Sequence, residues 1–567
     1  MNKLDSSIID FIRDAADSDR YAAYLRNTLL ELAAINTAPT NDIAANAKNE
    51  RAFFDLIERE IRDIIGQRAT CEWQPIDPAI AQDPDYAPPG YAADAEGNTL
   101  PADQLYRDRG NLIVHVPGTD ADTGPAAILN AHVDVVTPFF PPKSAGDRIF
   151  GRGVADNKAQ VTVLLAQLKL LSELKEKFQY SPSRGFILQF SIDEETGGNG
   201  SLSLLKDQRF TGLPTIVLDS TDLVPYCAHR GAVYYRCRLS IGDHPHKTAV
   251  EMFPFVVTEL EAEGKRLKAE TDCPMFSAHH VQTNHGTLGP YGGHPGNVCD
   301  HLAINIVAKS NANPQRVAMK MTVFMEDALA EYCRTYGDKQ RETDPVTGKP
   351  KVERHFDLQV LPATDTMNFR LEVWGKSGHM GAIAECDNAI TKAAYLLGGL
   401  LRIAPNFPNI QATGTFPESN TDDRVVILEG GQGFTPSHKM PDVQQRMRDA
   451  AERAVQMYCK RYRVPFEPDM VQMSFDQLHT DAYADAPDTT PMLALKSAFD
   501  ALNMPWPTPT AWQTSCDARL YHHHGHPTAI FGAGKLDTCH SSNENINIAD
   551  VQKALAIVSL ASLAMLS

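Results

Sequence analysis

An α/β pattern that stops and later resumes is the strongest constraint this chain places on its fold. From residue 111, apolar β-branched runs (NLIVHV, AAILNAHV, FILQFSI, TIVLDS) alternate with helical stretches such as QVTVLLAQLKLLSELKEK. Strand, helix, strand in that order predicts a sheet covered by helices. Between 232 and 486 the character changes, with longer helices such as EMFPFVVTELEAEGKRL and NAITKAAYLLGGLL. From 487 the earlier style returns, PTAIFGAG reading as a short buried strand and turn. The expected fold class is α/β: a mixed-sheet lobe with helices on both faces, built from 1–231 and 487–567, interrupted by an inserted α+β lobe over 232–486. A chain of 567 residues exceeds what one hydrophobic core usually serves, in keeping with two lobes. Upstream, residues 5–35 carry helical periodicity. The stretch 72–108, rich in Pro, Asp and Ala, reads as a surface insertion.

The inserted lobe reads as two copies of one small α/β unit, about 232–365 and 366–486. YRCRLSIGDHPHKTAV (235–250) lies on FRLEVWGKSGHMGAI (369–383), with Gly242 over Gly375 and His246 over His379. Gly292-Gly293 and Gly430-Gly431 offer a second anchor, offset by 138 residues against 133 for the first.

Charge narrows the function. A formal net charge of −18 leaves no basic footprint for nucleic acid and disfavours anionic lipid. The opening MNKLDSSIIDFIRDAADSDR lacks the apolar core and basic flank of a secretory signal. The terminal run VQKALAIVSLASLAMLS is apolar but short and carries Lys553, so it reads as a packing helix rather than a membrane span. Ten cysteines without a CxxC pair fit reduced thiols, and the expected setting is the cytoplasm.

Ligand-type residues cluster where strands finish. Asp193, Glu194 and Glu195 follow the strand GFILQF; three adjoining acids repel one another unless something positive sits among them. ILNAHVDVV adds His132 and Asp134, GRGVADNKA adds Asp156, IVLDSTD adds Asp219 and DTCHSSNENI adds His540. In an α/β sheet the crevice beyond the carboxyl ends of the strands is where ligands bind. Taken singly, each has an ordinary explanation: a satisfied core histidine, a turn aspartate, a helix N-cap. Coincidence at five strand ends is a much poorer explanation.

The set also has chemical logic. Two histidines and several carboxylates suit zinc, at ~2.0–2.2 Å per bond. Two ions about 3.5–4 Å apart need a bridging carboxylate, and a hydrolase needs one further carboxylate as general base. Glu194 and Glu195 diverge from the backbone, so one can bind metal while its neighbour reaches a water. Asp134 is placed to take the other N–H of His132 and fix its tautomer. The run YHHHGH (521–526) is a poorer metal site, because consecutive histidines point in different directions.

With HVDVV, GRGVADNKA, DEETGG, LDSTD, GKSGHMG, CDARLYHHHGHPTAIFGAG and the late His540 in order, the chain resembles the di-zinc exopeptidase and deacylase family. That family includes carboxypeptidase G, aminoacylase, acetylornithine deacetylase, tripeptidase and carnosine-type dipeptidases, and the doubled-lid dipeptidases are the nearest in pattern. The resemblance implies a catalytic lobe and a lid. It implies that Asp156 bridges two zinc ions (cobalt or manganese being alternatives), with His132 and Asp219 completing one site and Glu195 and His540 the other. Asp222 is a weaker substitute for Asp219. Glu194 would be the general base, Asp134 the partner of His132, His379 the oxyanion donor from the lid, and Asn297 a substrate-binding residue. His246 would be a degenerate copy of His379.

The implied reaction is hydrolysis of an amide in a small peptide, most simply by a dipeptidase or related exopeptidase. An N-acyl-amino-acid deacylase is the alternative. A doubled lid implies a monomer, and otherwise a homodimer in which the partner supplies the lid histidine. One departure stands out. Where family members carry an arginine for the substrate carboxylate on a strand, KMPDVQQRMRDAAERA runs into a helical pattern, and no arginine is assigned.

Overall fold

The structure is a computed structural model. It describes residues 5–93, 99–120, 124–244, 247–309, 312–344, 348–403, 413–417, 423–475 and 479–566. The chain forms two compact units: Met1–Gly231 with Pro274–Phe276 and Gln477–Ser567, and Ala232–Cys273 with Ser277–Asp476.

The first unit is built on a six-stranded mixed sheet. Its strands are β1 (Thr70–Pro75), β2 (Gly110–Val116), β3 (Pro125–His132), β4 (Gly185–Ser191), β5 (Thr215–Leu218) and a last strand Thr528–Phe531. They stand in the order β1-β2-β4-β3-β5-(528–531). β3, β4, β5 and the last strand run parallel, so their carboxyl ends share one sheet edge. β4 is buried at every position and β3 at all but its first, as strands covered on both faces must be. Successive residues divide between two cores: Leu129, Leu188 and Leu218 on one face, Ile128, Ile187 and Val217 on the other.

The amino-terminal periodicity is two helices, Ser6–Ala16 and Asp19–Ala34. Ser18 separates them by accepting the Tyr21 N–H as an N-cap. Helix Ile548–Met565 alone among the described residues is long and apolar enough to cross a membrane, and 78% of it is buried inside the protein. The stretch 72–108 is not the surface insertion its composition suggests. Ala87, Ala92 and Leu105 are fully buried, and Tyr106 nearly so, because these apolar residues pack against the core of the first unit.

The second unit repeats one order of elements. Strand β6 (Gly231–Ser240, entering from the first unit's last residue), helix Phe253–Ala269, strands β7 (Thr283–Leu288) and β8 (His301–Ala308), helix Pro314–Tyr336 and strand β9 (Phe356–Leu361) come first. Strand β10 (Met367–Trp374), helix Ala389–Ile403, strands β11 (Thr413–Thr415) and β12 (Val425–Phe434), helix Met440–Tyr462 and strand β13 (Val471–Ser474) follow. One sheet contains the order β7-β12-β6-β13 and the other runs β11-β8-β10-β9. Each draws two strands from each half, and exchanging the halves converts one order into the other.

Gly242 and Gly375 each follow the first strand of their half, in agreement with this order. The glycine pairs at 292 and 430 occupy unlike positions. Gly292 turns the chain after β7 at φ +89°, whereas Gly430 lies inside β12, where a Cβ would stand 2.2 Å from the Asn284 carbonyl oxygen. His246 lies outside the described residues.

Candidate active site

Three of the four parallel strands bring candidate residues to one edge of the first unit's sheet. His132 ends β3, the acidic turn 193–195 follows β4, and Asp219 follows β5. The β3–β5 register pairs Asn130 with Val217, so His132 and Asp219 stand two residues further along adjacent strands. Asp156 precedes helix Lys158–Phe178, and His540 lies in the loop before Asn545–Asn547.

Asp156 is the centre of the group. Its Oδ1 lies 3.1 Å from His132 Nε2, and its Oδ2 lies 3.4 Å from His540 Nε2. His540 Nε2 is also 3.0 Å from Glu195 Oε2, and His132 Nε2 is 3.8 Å from Glu194 Oε2. His132 Nδ1 donates to the Asp134 carbonyl oxygen at 3.1 Å, so the Nε2 of a neutral ring presents its lone pair to Asp156. The Asp134 carboxylate lies 3.4 Å from that Nδ1, but its hydrogen bonds come from elsewhere: it accepts the N–H groups of Glu194 (3.1 Å) and Glu195 (3.0 Å). Asp134 thus holds the acidic turn as well as facing the histidine.

Electrostatics separates these acids. Burial pushes the Glu194 carboxyl well above the usual range, with Asp517, Glu195 and Asp219 adding to it and His132 opposing. Burial, then Asp156, pushes Asp219 well up, and burial raises Glu195. Asp156 goes the other way: burial opposes its ionisation, but His132 and His540 hold it well below the usual range. Burial also opposes charge on the imidazoles, yet Glu194 leads the acids that hold the His132 proton, and Glu195 leads those that push His540 to about 10. The carboxylates therefore gather protons onto both rings.

A divalent cation fits this donor set. Two ligands on one tetrahedral ion at about 2.1 Å stand roughly 3.4 Å apart, near the nitrogen–oxygen separations seen here. His132, Asp156 and Glu195 each offer a ligand atom, all within 4.8 Å of one another. Glu195 Oε1 is buried with no hydrogen-bond partner. Asp219 belongs to this group by its interaction with Asp156, whereas Asp222 interacts with Lys535, Asp550 and Asp537.

The histidine run takes other work. His522 lies 3.6 Å from Asp485, and His526 Nδ1 contacts the Leu213 carbonyl oxygen. In the second unit, Cys333, Asp338 and His355 also approach one another. There His355 Nε2 already faces Asp338 at 3.0 Å, and burial with Asp338 pushes the Cys333 thiol up, which disfavours the thiolate a metal needs.

Sequence reasoning missed several residues around the turn. Glu544 Oε1 accepts the N–H groups of Ala155 and Asp156, while its Oε2 pairs with buried Arg152 at 2.6 Å. Asp517 is buried near Glu194, its own carboxyl pushed up to about 6 by burial. The only sequence signal for these was the motif around each.

His379 and Asn297 belong to the second unit, where a backbone bridge joins them. His379 Nδ1 accepts the Gly381 N–H at 2.9 Å, so a neutral ring carries its proton on Nε2. Asn297 Oδ1 is buried without a hydrogen-bond partner. The stretch beginning KMPDVQQ is helical, as its pattern predicts, over Met440–Tyr462.

The mixed α/β sheet thus carries a buried histidine–carboxylate cluster at one edge. The chain belongs to peptidase family M20/M25/M40, whose model matches residues 128–563. The crystal structure of human carnosine dipeptidase 1 is similar in fold, with a TM-score of 0.55 at 13% identity, covering 98% of this chain and 99% of that one. A "Probable carboxypeptidase" from Aspergillus terreus is 32% identical over 133 residues, 22% of this chain and 29% of the relative. The human "N-fatty-acyl-amino acid synthase/hydrolase PM20D1" is 37% identical over 112 residues, 18% of this chain and 21% of the relative. The chain thus spans less than a third of either curated relative.

Proposed function

We propose that this chain is a co-catalytic dinuclear zinc hydrolase cleaving the amide bond of small peptides, most simply as a dipeptidase or exopeptidase. The observation that carries the reading is Asp156, whose two oxygens face two different histidines, with Glu194 beside one of them. Asp156 would bridge two ions, His132 and Asp219 completing one site and Glu195 and His540 the other. When bound, the ions supply Lewis acidity, lowering the pKa of water toward about 7 and polarising the amide carbonyl. Glu194 would take the proton from the attacking water and return it to the leaving amine. Asp134 holds the turn that carries Glu194. His379 donates through Nε2 to the developing oxyanion, and Asn297 holds the substrate.

We read residues 232–486 as a duplicated lid, 232–365 and 366–486, between the two catalytic segments 1–231 and 487–567, the compact second unit itself ending at Asp476. A chain carrying both lid halves needs no second copy to supply His379, so a monomer is expected if the lid is doubled and a homodimer otherwise; the cytoplasm remains the expected setting.

The second reading, an N-acyl-amino-acid deacylase, is favoured by the 112-residue likeness to the human "N-fatty-acyl-amino acid synthase/hydrolase PM20D1". A matched panel separates the two. Zinc-loaded protein is offered free dipeptides, their N-acetylated forms and their C-amidated forms, and amine release is measured with and without chelator. Cleavage of free dipeptides alone, abolished by chelation, is the expected result. Preference for N-acetylated members would establish the deacylase, and chelator-insensitive cleavage would overturn the metal reading.

A further inference from the structure

The turn that carries Glu194 and Glu195 is anchored from behind by a buried charge network that the proposed chemistry leaves unused. Asp193 adopts φ +60°, a left-handed conformation that costs energy in most non-glycine residues. Its side chain is fully buried and held by polar partners. Arg109 Nη2 donates to Asp193 Oδ1 at 2.7 Å, and the Tyr91 hydroxyl donates to the same carboxylate at 3.1 Å. Arg109 Nη1 donates in turn to the Tyr91 oxygen. The guanidinium is itself fixed by Glu50, which accepts from Nε at 3.0 Å and from Nη2 at 2.6 Å, and by the Leu105 carbonyl at 3.3 Å.

On the other side, the Asp134 carboxylate clamps the Glu194 and Glu195 N–H groups. The turn closes on itself through the Asp193 carbonyl, which accepts the Gly198 N–H at 2.7 Å. Three adjacent acids are thus gripped alternately, the first side chain backward and the next two amides forward. The Asp193 side chain is held by Arg109 and Tyr91, while Glu194 faces His132 and Glu195 faces His540.

We infer that Arg109 and Tyr91 are positioning residues that set the aim of Glu194 and Glu195 through Asp193. Tyr91 comes from the 72–108 stretch, which therefore contributes to the site rather than merely decorating it. The inference rests on the proposed roles of Glu194 as base and Glu195 as ligand. A guanidinium suits the task because its planar fork grips two carboxylates at once, which an ammonium cannot reproduce. Outer partners of this kind typically change affinity or activity by about 10- to 100-fold.

The test uses full-length protein carrying Arg109→Lys, and Tyr91→Phe as the milder variant in case the first fails to fold. Turnover, KM and the affinity for Co(II) by calorimetric titration are measured, with circular dichroism and melting temperature as controls. Arg109→Lys is expected to lower kcat by about 10- to 100-fold with KM nearly unchanged, and to weaken Co(II) binding. Tyr91→Phe is expected to lower kcat several-fold at an unchanged melting temperature. Wild-type kcat and Co(II) affinity in a folded variant would overturn the inference while leaving the proposed hydrolase intact. If wild type cleaves no amide, the functional reading falls, and a Co(II) affinity lowered in Tyr91→Phe still supports the anchoring of Glu195, whereas an unchanged affinity overturns it.

Discussion

Lys392 and Asp387 in the second unit make a buried pair at 2.6 Å, with the Tyr332 hydroxyl donating to the other Asp387 oxygen and the Trp374 carbonyl accepting from the lysine. The acids around His132 in the first unit are a little more exposed, and there the cationic partners of Asp156, Glu194 and Glu195 are two imidazoles, His132 and His540. One cluster balances its charge internally; the other pulls protons onto its histidines to do so. A low-dielectric interior penalises uncompensated charge severely, so the second arrangement makes physical sense as a place where cations are to be held.

The largest effect should come from the unbalanced cluster. Glu194→Gln is expected to lower turnover by about 10²- to 10⁴-fold with bound metal retained, as steady-state kinetics and elemental analysis would report. Near-normal turnover with metal in place would assign proton transfer to another group. Removing charge from each cluster should then have opposite signs. Lys392→Met strands Asp387 and should cost about 3–5 kcal/mol in urea unfolding. Asp219→Asn removes a like charge and should instead raise the melting temperature of chelated protein. Equal signs would erase the distinction between the clusters.

The smallest effect sharpens it. Glu251 is a buried acid of the second unit, paired with Lys247 at 3.2 Å and Tyr458 at 3.0 Å, yet burial still pushes its carboxyl up to about 7. A carboxyl raised in the folded state keeps a proton that the unfolded chain releases. Its contribution to stability is therefore present below the ordinary glutamate range and is lost as pH rises toward 7. Glu251→Gln should match wild type near pH 4.5 and exceed it by about 1–3 kcal/mol at pH 8, measured by denaturant unfolding at both values.

Much of the fold was legible because it rests on local pattern. The interrupted α/β alternation, the strands ending at His132, Ser191 and Leu218, and the helix over Met440–Tyr462 all follow from periodicity and residue type. His132, Asp219 and the acidic turn were legible for a related reason: parallel strands in one sheet end together, so polar residues just past those ends meet; Asp156 and His540, expected at strand ends, instead come from the start of a helix and from a loop. The stretch 72–108 was misread because composition averages over Pro and Asp and hides the few residues that turn inward, Tyr91, Leu105 and Tyr106. Asp134 was read through one contact, while its carboxylate takes two backbone amides that only the folded turn presents.

The sequence by itself determined which elements form, that one lobe interrupts another, and which side chains could supply metal chemistry. Tertiary structure decided the rest. It showed Asp156 turning one oxygen to each histidine, separated Asp219 from Asp222, and joined Arg109 to Asp193 across 84 positions of chain. It also wove β7, β12, β6 and β13 into one sheet from both halves of the second unit. The physical reason is one of range. Propensity and periodicity act over a few residues, whereas strand exchange and the pairing of buried charges are settled by which distant segments can bury their surfaces together.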